Sequence, residues 1–480
     1  MRRRLLLLAS FAGTLVACAS ILGDFEVDPN AGAPDGSTLA DGSSGNTSEG
    51  GLTDAGDGGP AVANQPAGVQ VAASTSATCA TVQYPGKQVT YCWGAVGAKY
   101  PAATVGTNQG DPNIEGFSRP RLPVADVRYL TFSFLTGAGT GEWFVGRGGD
   151  GQTTATYAWG SNDNGESAAG ASTAVMPTVM KLGTNLLQFD TIYAGPNHGC
   201  AVQNSNLFCW GLNTNCELRS GSQATCNTEL PVLTATGNAA RTIEDESSHT
   251  SGKGGQIIRV AGGLDHTCRH VKTGSGPDVS AQDEVQCWGS NVLGQIDVNG
   301  GVFIDSPSKV LTLKRGGAEL AAGENHTCAI TDTSKIACWG KNDSGQSNPA
   351  NPGAKAKVTD VAIPGNLSTL RAAGDLSCVV AKVIGQPSRV WCWGNGPKGR
   401  AAGEENLAVG KVAGIQDVTQ LAVGRSHACA VGKMEGAGEK DAAHVWCWGS
   451  NDFKRVDPRS AAGQLILRPI QIQFPAEPAN

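Results

Sequence analysis

Ala322-Gly323-Glu324-Asn325-His326-Thr327-Cys328-Ala329-Ile330 is followed, across four polar residues, by Lys335-Ile336-Ala337-Cys338-Trp339-Gly340. Both halves alternate and both are bounded by turn residues, which reads as a β-hairpin. The motif recurs around one dipeptide. Trp-Gly stands at Trp93, Trp159, Trp210, Trp288, Trp339, Trp393 and Trp448, in steps of 66, 51, 78, 51, 54 and 55 residues. Self-similarity at about 50 residues indicates a stacked or circular repeat architecture rather than two or three unrelated domains.

The cysteines fall into the same frame. Fifteen in 480 residues is a usage foreign to reducing compartments, and no C-x-x-C is present, so the common zinc and redox signatures are missing. In the third repeat a two-residue turn at Asn204-Ser205 sets Val202 against Leu207, Ala201 against Phe208 and Cys200 against Cys209. Directly opposed positions lie within disulfide reach. The same placement pairs Cys79 with Cys92, Cys268 with Cys287, Cys328 with Cys338, Cys378 with Cys392 and Cys429 with Cys447. The second repeat, aligned on Ala138-Gly139 and Trp159-Gly160, places Trp143 and Ala158 where the two cysteines stand elsewhere, so both are missing together. Cys216 and Cys226 fall in an insertion and remain to pair with each other, which leaves Cys18.

Cys18 ends a run of three arginines, Arg2 to Arg4, and an apolar stretch from Leu5 to Val16. A basic start, a short apolar core and small residues before a cut make a secretory signal. Leu15-Val16-Ala17-Cys18 resembles the bacterial lipobox, which implies cleavage before Cys18 and acylation of its sulfur and amine. Three acyl chains exceed the two signals that stable anchoring requires. Ala19 is not the Asp that retains some lipoproteins at the inner membrane, so the expected location is the cell envelope, at the outer membrane. Residues 18–66, rich in Gly, Asp, Ser, Ala and Thr, read as a disordered linker. From Leu5 to Gly86 there are eight acids and no Lys or Arg. Apart from that acidic stretch and the three arginines the chain is near neutral, which speaks against nucleic acid as a partner. The domain reading is a signal peptide over 1–17, the linker over 18–66 and the repeat domain over 67–480.

The repeats resemble the regulator-of-chromosome-condensation family: A-G-x-x-H-T-C/A-A, then a short strand into Trp-Gly-x-Asn-x-x-Gly-Gln. Asn291 with Gly294-Gln295 and Asn342 with Gly345-Gln346 match that tail in full, Asn162 with Gly165-Glu166 nearly. The first, third, sixth and seventh repeats degrade it. The resemblance covers 69 to about 474 and implies an all-β, seven-bladed β-propeller. A propeller must close its ring. Arg468 to Phe474 is a strand left over after the last repeat, and the expectation is that it completes the first blade.

Candidate sites divide into repeat positions and departures from the repeat. His198, His266, His326 and His427 share one position, two residues before a Cys. A metal-holding ring is one reading; the other is that each satisfies backbone groups within its own blade, and three repeats without the His favour it. Tyr91, Tyr157, Phe208, Trp391 and Trp446 share a strand face with the Trp two residues on, which suits blade-to-blade core better than a sugar platform. No catalytic signature holds: S-x-D-x-G-x-T-W and G-x-S-x-G are missing, and Ser306-Pro307-Ser308-Lys309 with Lys272-Thr273-Gly274 are in the wrong order for a β-lactamase-type site. The departures collect after the third Trp-Gly, in Cys216 to Cys226 and in 235–255, with Glu244-Asp245-Glu246 as the candidate binding residues. The expectation is a monomeric, lipid-anchored binding module for an envelope or extracellular protein or polysaccharide, with no metal, cofactor or catalytic residue. The rival is an envelope glycan hydrolase or lyase using carboxylates on the propeller top. A guanine-nucleotide-exchange role rests on fold analogy alone.

Overall fold

The computed structural model describes residues 69–84, 87–95, 117, 131–139, 141–149, 154–166, 175–181, 191–203, 206–218, 256–272, 283–313, 319–396 and 408–475. Cys18, Cys226, Glu244, Asp245, Glu246 and the signal and linker spans lie outside them.

Among the described residues the strands form seven antiparallel sheets, each drawn from consecutive sequence. They span 70–94, 131–181, 191–211, 256–313, 320–361, 366–411 and 415–471, and are numbered here blades 1 to 7. Blades 1 and 3 show three strands, the others four. In blade 5 the inner strand Leu320–Ala322 is followed outward by His326–Asp332, Lys335–Lys341 and Lys355–Val361. The architecture is a seven-bladed β-propeller, and its single short helical turn is Asp452–Lys454 among the described residues.

Packing between blades supplies the core. The seven Trp side chains of the Trp-Gly units are buried, together with Tyr91 and Tyr157, while Trp391 and Phe208 are partly buried against neighbouring clusters. The aromatic positions before Trp-Gly therefore serve as core. Each Gly of a Trp-Gly has positive φ, from +88° at Gly394 to +117° at Gly449, and a Cβ on Gly340 would stand 2.6 Å from the Asn325 carbonyl oxygen. Only glycine combines that backbone with that approach.

Six disulfides bridge directly opposed residues of the second and third strands: Cys79–Cys92, Cys200–Cys209, Cys268–Cys287, Cys328–Cys338, Cys378–Cys392 and Cys429–Cys447, with Cα atoms 4.0–4.1 Å apart. Blade 2 corrects the sequence alignment. Ala158 opposes Val145, while Trp143 opposes Gly160, so Trp143 occupies the histidine position and not a cysteine position. The cause is turn length. Ala138 N–H donates to the Trp143 carbonyl at 3.0 Å where Gly323 N–H donates to the His326 carbonyl, so blade 2's first turn holds two residues more.

The closing strand also differs from expectation. Leu465–Gln471 pairs with His444–Ser450 as the outer strand of blade 7 and does not join blade 1. Side chains close the ring instead. Phe474 lies 5.8 Å from the rings of Tyr91 and Trp93, the Tyr84 hydroxyl donates to the Pro475 carbonyl at 2.6 Å, and Val71 N–H donates to Gln420 Oε1 at 3.2 Å. A strand stays with the sheet that already offers it a hydrogen-bonding edge, and its apolar tail then covers the neighbouring blade.

Candidate functional site

The four repeat-position histidines are buried, and each reaches out of its own blade. Nε2 contacts a hydroxyl one blade on: His198 with Thr267 at 3.0 Å, His266 with Thr327 at 2.8 Å, His326 with Ser377 at 2.7 Å and His427 with Thr78 at 2.8 Å. Thr267 and Thr78 donate their own protons to the Glu217 and Arg455 carbonyls, each at 2.8 Å. Those histidines must therefore donate through Nε2–H, which fixes the neutral tautomer. Burial holds the imidazoles well below their usual range, His198 and His326 at about 4 and His266 and His427 at about 3. The expected bonding to backbone within one blade gives way to a seam between blades. No group of three or more possible metal ligands occurs among the described residues.

Where a blade lacks the histidine, the next blade lacks the hydroxyl. Leu376 is followed one blade on by Ala428, Ala77 by Phe144, and Trp143 by Gly199, where a Cβ would lie 2.8 Å from the Trp143 ring. Trp143 spends its N–H on the Gly195 carbonyl at 2.7 Å. Donor and acceptor are lost as a pair because a buried partner left alone costs its full desolvation.

The turn after Trp-Gly is built on its asparagine. Asn342 Oδ1 accepts from Ser347 and Asn348 N–H, Asn291 Oδ1 from Ile296 and Asp297, and Asn451 Oδ1 from Val456 and Asp457. The third and seventh repeats keep this turn despite their altered sequence: Cys216 (φ +57°) and Lys454 (φ +61°) stand where Gly294 and Gly345 do. Cys216 is thus part of the repeat scaffold, buried and disulfide-bonded, rather than a residue of the insertion. The next residue anchors the following blade through its carbonyl, which accepts the Trp indole N–H: Trp210 to Glu166, Trp288 to Glu217, Trp339 to Gln295 and Trp393 to Gln346.

Two of those anchors are acids, and one of them faces another acid. In blade 5 Gln346 Nε2 donates to Asp375 on the next blade at 2.9 Å. The equivalent residues at the seam of blades 3 and 4 are Glu217 and Asp265. Burial raises the Glu217 carboxyl to about 8, with Asp265 adding to the rise, and burial raises Asp265 as well. One Glu217 oxygen accepts from Asn215 N–H at 2.6 Å; the other, Oε1, is buried without a hydrogen bond.

These turns form the rim of the axial mouth. Glu324 is bound by Arg425 at 3.0 Å, Asp375 by Lys341 at 2.8 Å, and Glu142 accepts from the Ser76 hydroxyl. The longer turn of blade 2 lies across the opening: Gly139 N–H donates to the Ala73 carbonyl, its carbonyl accepts from Arg425 N–H, and a Cβ added to it would stand 3.1 Å from the Ala373 side chain. Beneath it the inner strands line a cavity of about 60 Å3, partly open to solvent, with room for water-sized occupants. Lower in the wall Glu319 bridges Arg371 at 3.1 Å and Arg259 at 3.5 Å, joining blades 4, 5 and 6. Sequence reading missed the cap and the carboxyl pair. The signals present were the two extra residues before Trp143 and the Glu in a Gln column.

The fold and seams define the class: a seven-bladed β-propeller, disulfide-bridged within its blades, whose repeats are similar to the regulator-of-chromosome-condensation type. Residues 318–346 match the family described as regulator of chromosome condensation (RCC1) repeat. The chain is 22% identical over 312 residues to human E3 ubiquitin-protein ligase HERC2, covering 62% of this chain and 6% of that protein. It is 26% identical over 223 residues to the bovine secretion-regulating guanine nucleotide exchange factor, covering 42% and 44%. It therefore spans less than half the length of either relative. Among solved structures, Prp20p from Saccharomyces cerevisiae superposes with a TM-score of 0.51 at 18% identity, over 69% of this chain and 75% of that one, a likeness of fold alone.

Proposed function

We propose that this protein is a lipid-anchored binding module of the cell envelope, held at the outer membrane through Cys18, whose ligand is a protein or polysaccharide met on the loops of the mouth face. The observation that carries the binding reading is the capped axis. With Gly139 across the opening and about 60 Å3 beneath it, a macromolecular ligand is offered the outer surface of the turns and not a channel. The turn ending at Cys216–Glu217 leads directly into 219–255, the largest departure from the repeat and the location of Glu244, Asp245 and Glu246. A scaffold whose repeat positions are all used by seams can vary its specificity only in such segments.

The Glu217–Asp265 pair is what favours the glycan hydrolase or lyase reading. Glu217 is nonetheless fully buried under the rim, out of reach of a polysaccharide. The test is cross-linking on intact cells followed by identification of partners, with the whole chain, with 235–255 deleted, and with Cys18→Ala. Deletion is expected to leave a cooperative melt and weaken capture several-fold, and Cys18→Ala to release the protein from membranes without acyl label. Normal capture by the deleted chain would move the binding face elsewhere on the ring, and membrane retention of Cys18→Ala would refute the anchor.

A further inference from the structure

The seam of blades 5 and 6 shows how the turn after Trp-Gly meets the next blade. Gln346 Oε1 accepts from Ser344 N–H at 2.8 Å, which aims Nε2 across the seam, where it donates to Asp375 Oδ1 at 2.9 Å. The Lys341 ammonium reaches the same carboxylate at 2.8 Å. At the seam of blades 4 and 5 the arrangement recurs: Gln295 Oε1 accepts from Leu293 N–H at 2.8 Å and Nε2 lies 3.4 Å from Asn325 Oδ1. Glu166 carries no such donor, but its Oε1 accepts from the Ser161 hydroxyl at 2.7 Å.

The seam of blades 3 and 4 has neither solution. Glu217 Oε2 accepts from Asn215 N–H at 2.6 Å, as Gln346 Oε1 does from Ser344, so Glu217 Oε1 stands where Gln346 carries its donor. Opposite it is Asp265, whose carbonyl accepts from Ser290 N–H as that of Asp375 accepts from Asn395. Leu212 N–H donates to the Asn197 carbonyl as Lys341 N–H donates to that of Asn325, so Leu212 holds the position of Lys341. The ammonium and the amide that serve Asp375 are thus replaced by a hydrocarbon and a second acid. Glu217 is fully buried and its Oε1 has no hydrogen-bond partner, while Asp265 is half-buried and reached by solvent. Two carboxylates so placed need a cation or a proton between them.

We infer that Glu217 and Asp265 form a binding site for a divalent, oxygen-preferring cation, calcium foremost. Carboxylate oxygens select a hard ion, and calcium accepts the irregular shell of two carboxylates completed by water. Asn215, whose side-chain amide hydrogen-bonds Asp265, can turn its oxygen onto the ion. The cation takes the part that the Lys341 ammonium plays between blades 5 and 6. It ties blade 3 to blade 4 at the point where the chain leaves the repeat for 219–255. Without it one of the two carboxyls must keep a proton.

Calcium chloride titrated calorimetrically into the full chain, first stripped with a chelator, tests the site. Saturable binding is expected, with a melting temperature that climbs with calcium concentration because the ion binds only the folded state. Glu217→Gln installs the residue of this position in blades 4 and 5, so it should fold. It is expected to lose calcium affinity by more than about tenfold, since a direct ligand outweighs the groups behind it. Leu212→Lys supplies the ammonium that blade 5 uses, and is expected to abolish binding while raising the metal-free melting temperature. No binding and no calcium-dependent shift of the unsubstituted protein overturns the site and leaves the pair to a proton. Calcium held equally by the unsubstituted protein and both variants overturns it as well, since the ion then sits elsewhere.

Discussion

Four buried imidazoles and one buried carboxyl set opposite pH limits on this fold. The histidines have folded values of about 3 to 4 against an ordinary 6.5, so as pH falls below 6.5 the unfolded chain takes up protons that the folded one refuses. Their contribution is complete above 6.5 and is lost on the way down to about 4, by up to about 1.4 kcal/mol per pH unit for each imidazole. Glu217 has the reverse sign. Its folded value near 8 exceeds the ordinary 4.5, so its contribution is present below 4.5 and lost as pH rises to about 8. Denaturant midpoints measured from pH 4 to 9 are expected to fall at both ends. Glu217→Gln, which installs the residue its own repeat uses in blades 4 and 5, should flatten the alkaline limb and leave the acid limb intact. An unchanged alkaline limb would show that the buried Glu217 carboxyl does not cause it. The Glu was visible in the sequence as a departure from a Gln column. That it meets Asp265 was not, because the two belong to different repeats.

At the scale of the blade, the hairpin register fixes what a disulfide can join. Val145 and Ala158 of blade 2 face each other as the bridged cysteines do in six other blades, and neither is exposed. Replacing both with Cys should form a seventh hairpin bridge and raise stability by about 2–3 kcal/mol, the gain expected from closing a short loop. Trp143→Cys with Ala158→Cys should leave two free thiols, since those positions are two residues out of register; non-reduced peptide mapping distinguishes the pairs. Register in six blades was legible because alternation has period two and a pair of cysteines marks the base of each hairpin. Blade 2 misled because its extra residues lie in the first turn, where nothing in the hairpin itself records them. Those residues are what caps the axis.

For the whole molecule the decisive step is closure. Phe474 packs among Tyr91, Trp93 and Phe117, the last at 5.5 Å, and it comes from the opposite end of the chain. Phe474→Ala is expected to cost about 2–4 kcal/mol and, because it opens the one seam whose two blades are not consecutive in the chain, to loosen blades 1 and 7 ahead of the rest. Hydrogen exchange would reveal this as early loss of protection in 70–94 and 415–471; uniform loss across all blades would mean the ring melts as one unit. The sequence by itself determined the number of blades, through the recurrence of Trp-Gly and the family resemblance, and the hairpins, the buried Trp and Tyr positions and the six hairpin bridges, because each of these depends on alternation and spacing within about 20 residues. Only the tertiary structure decided that the histidines span seams, that Trp143 and Gly199 exchange roles with His and Thr, that the last strand stays in blade 7, and that a blade 2 turn covers the axis. Apart from the last strand, which pairs with the hairpin just before it, those contacts join residues about 50 or more positions apart, or opposite chain ends. The free energy that selects them belongs to the packing of one sheet on the next, which no single repeat encodes.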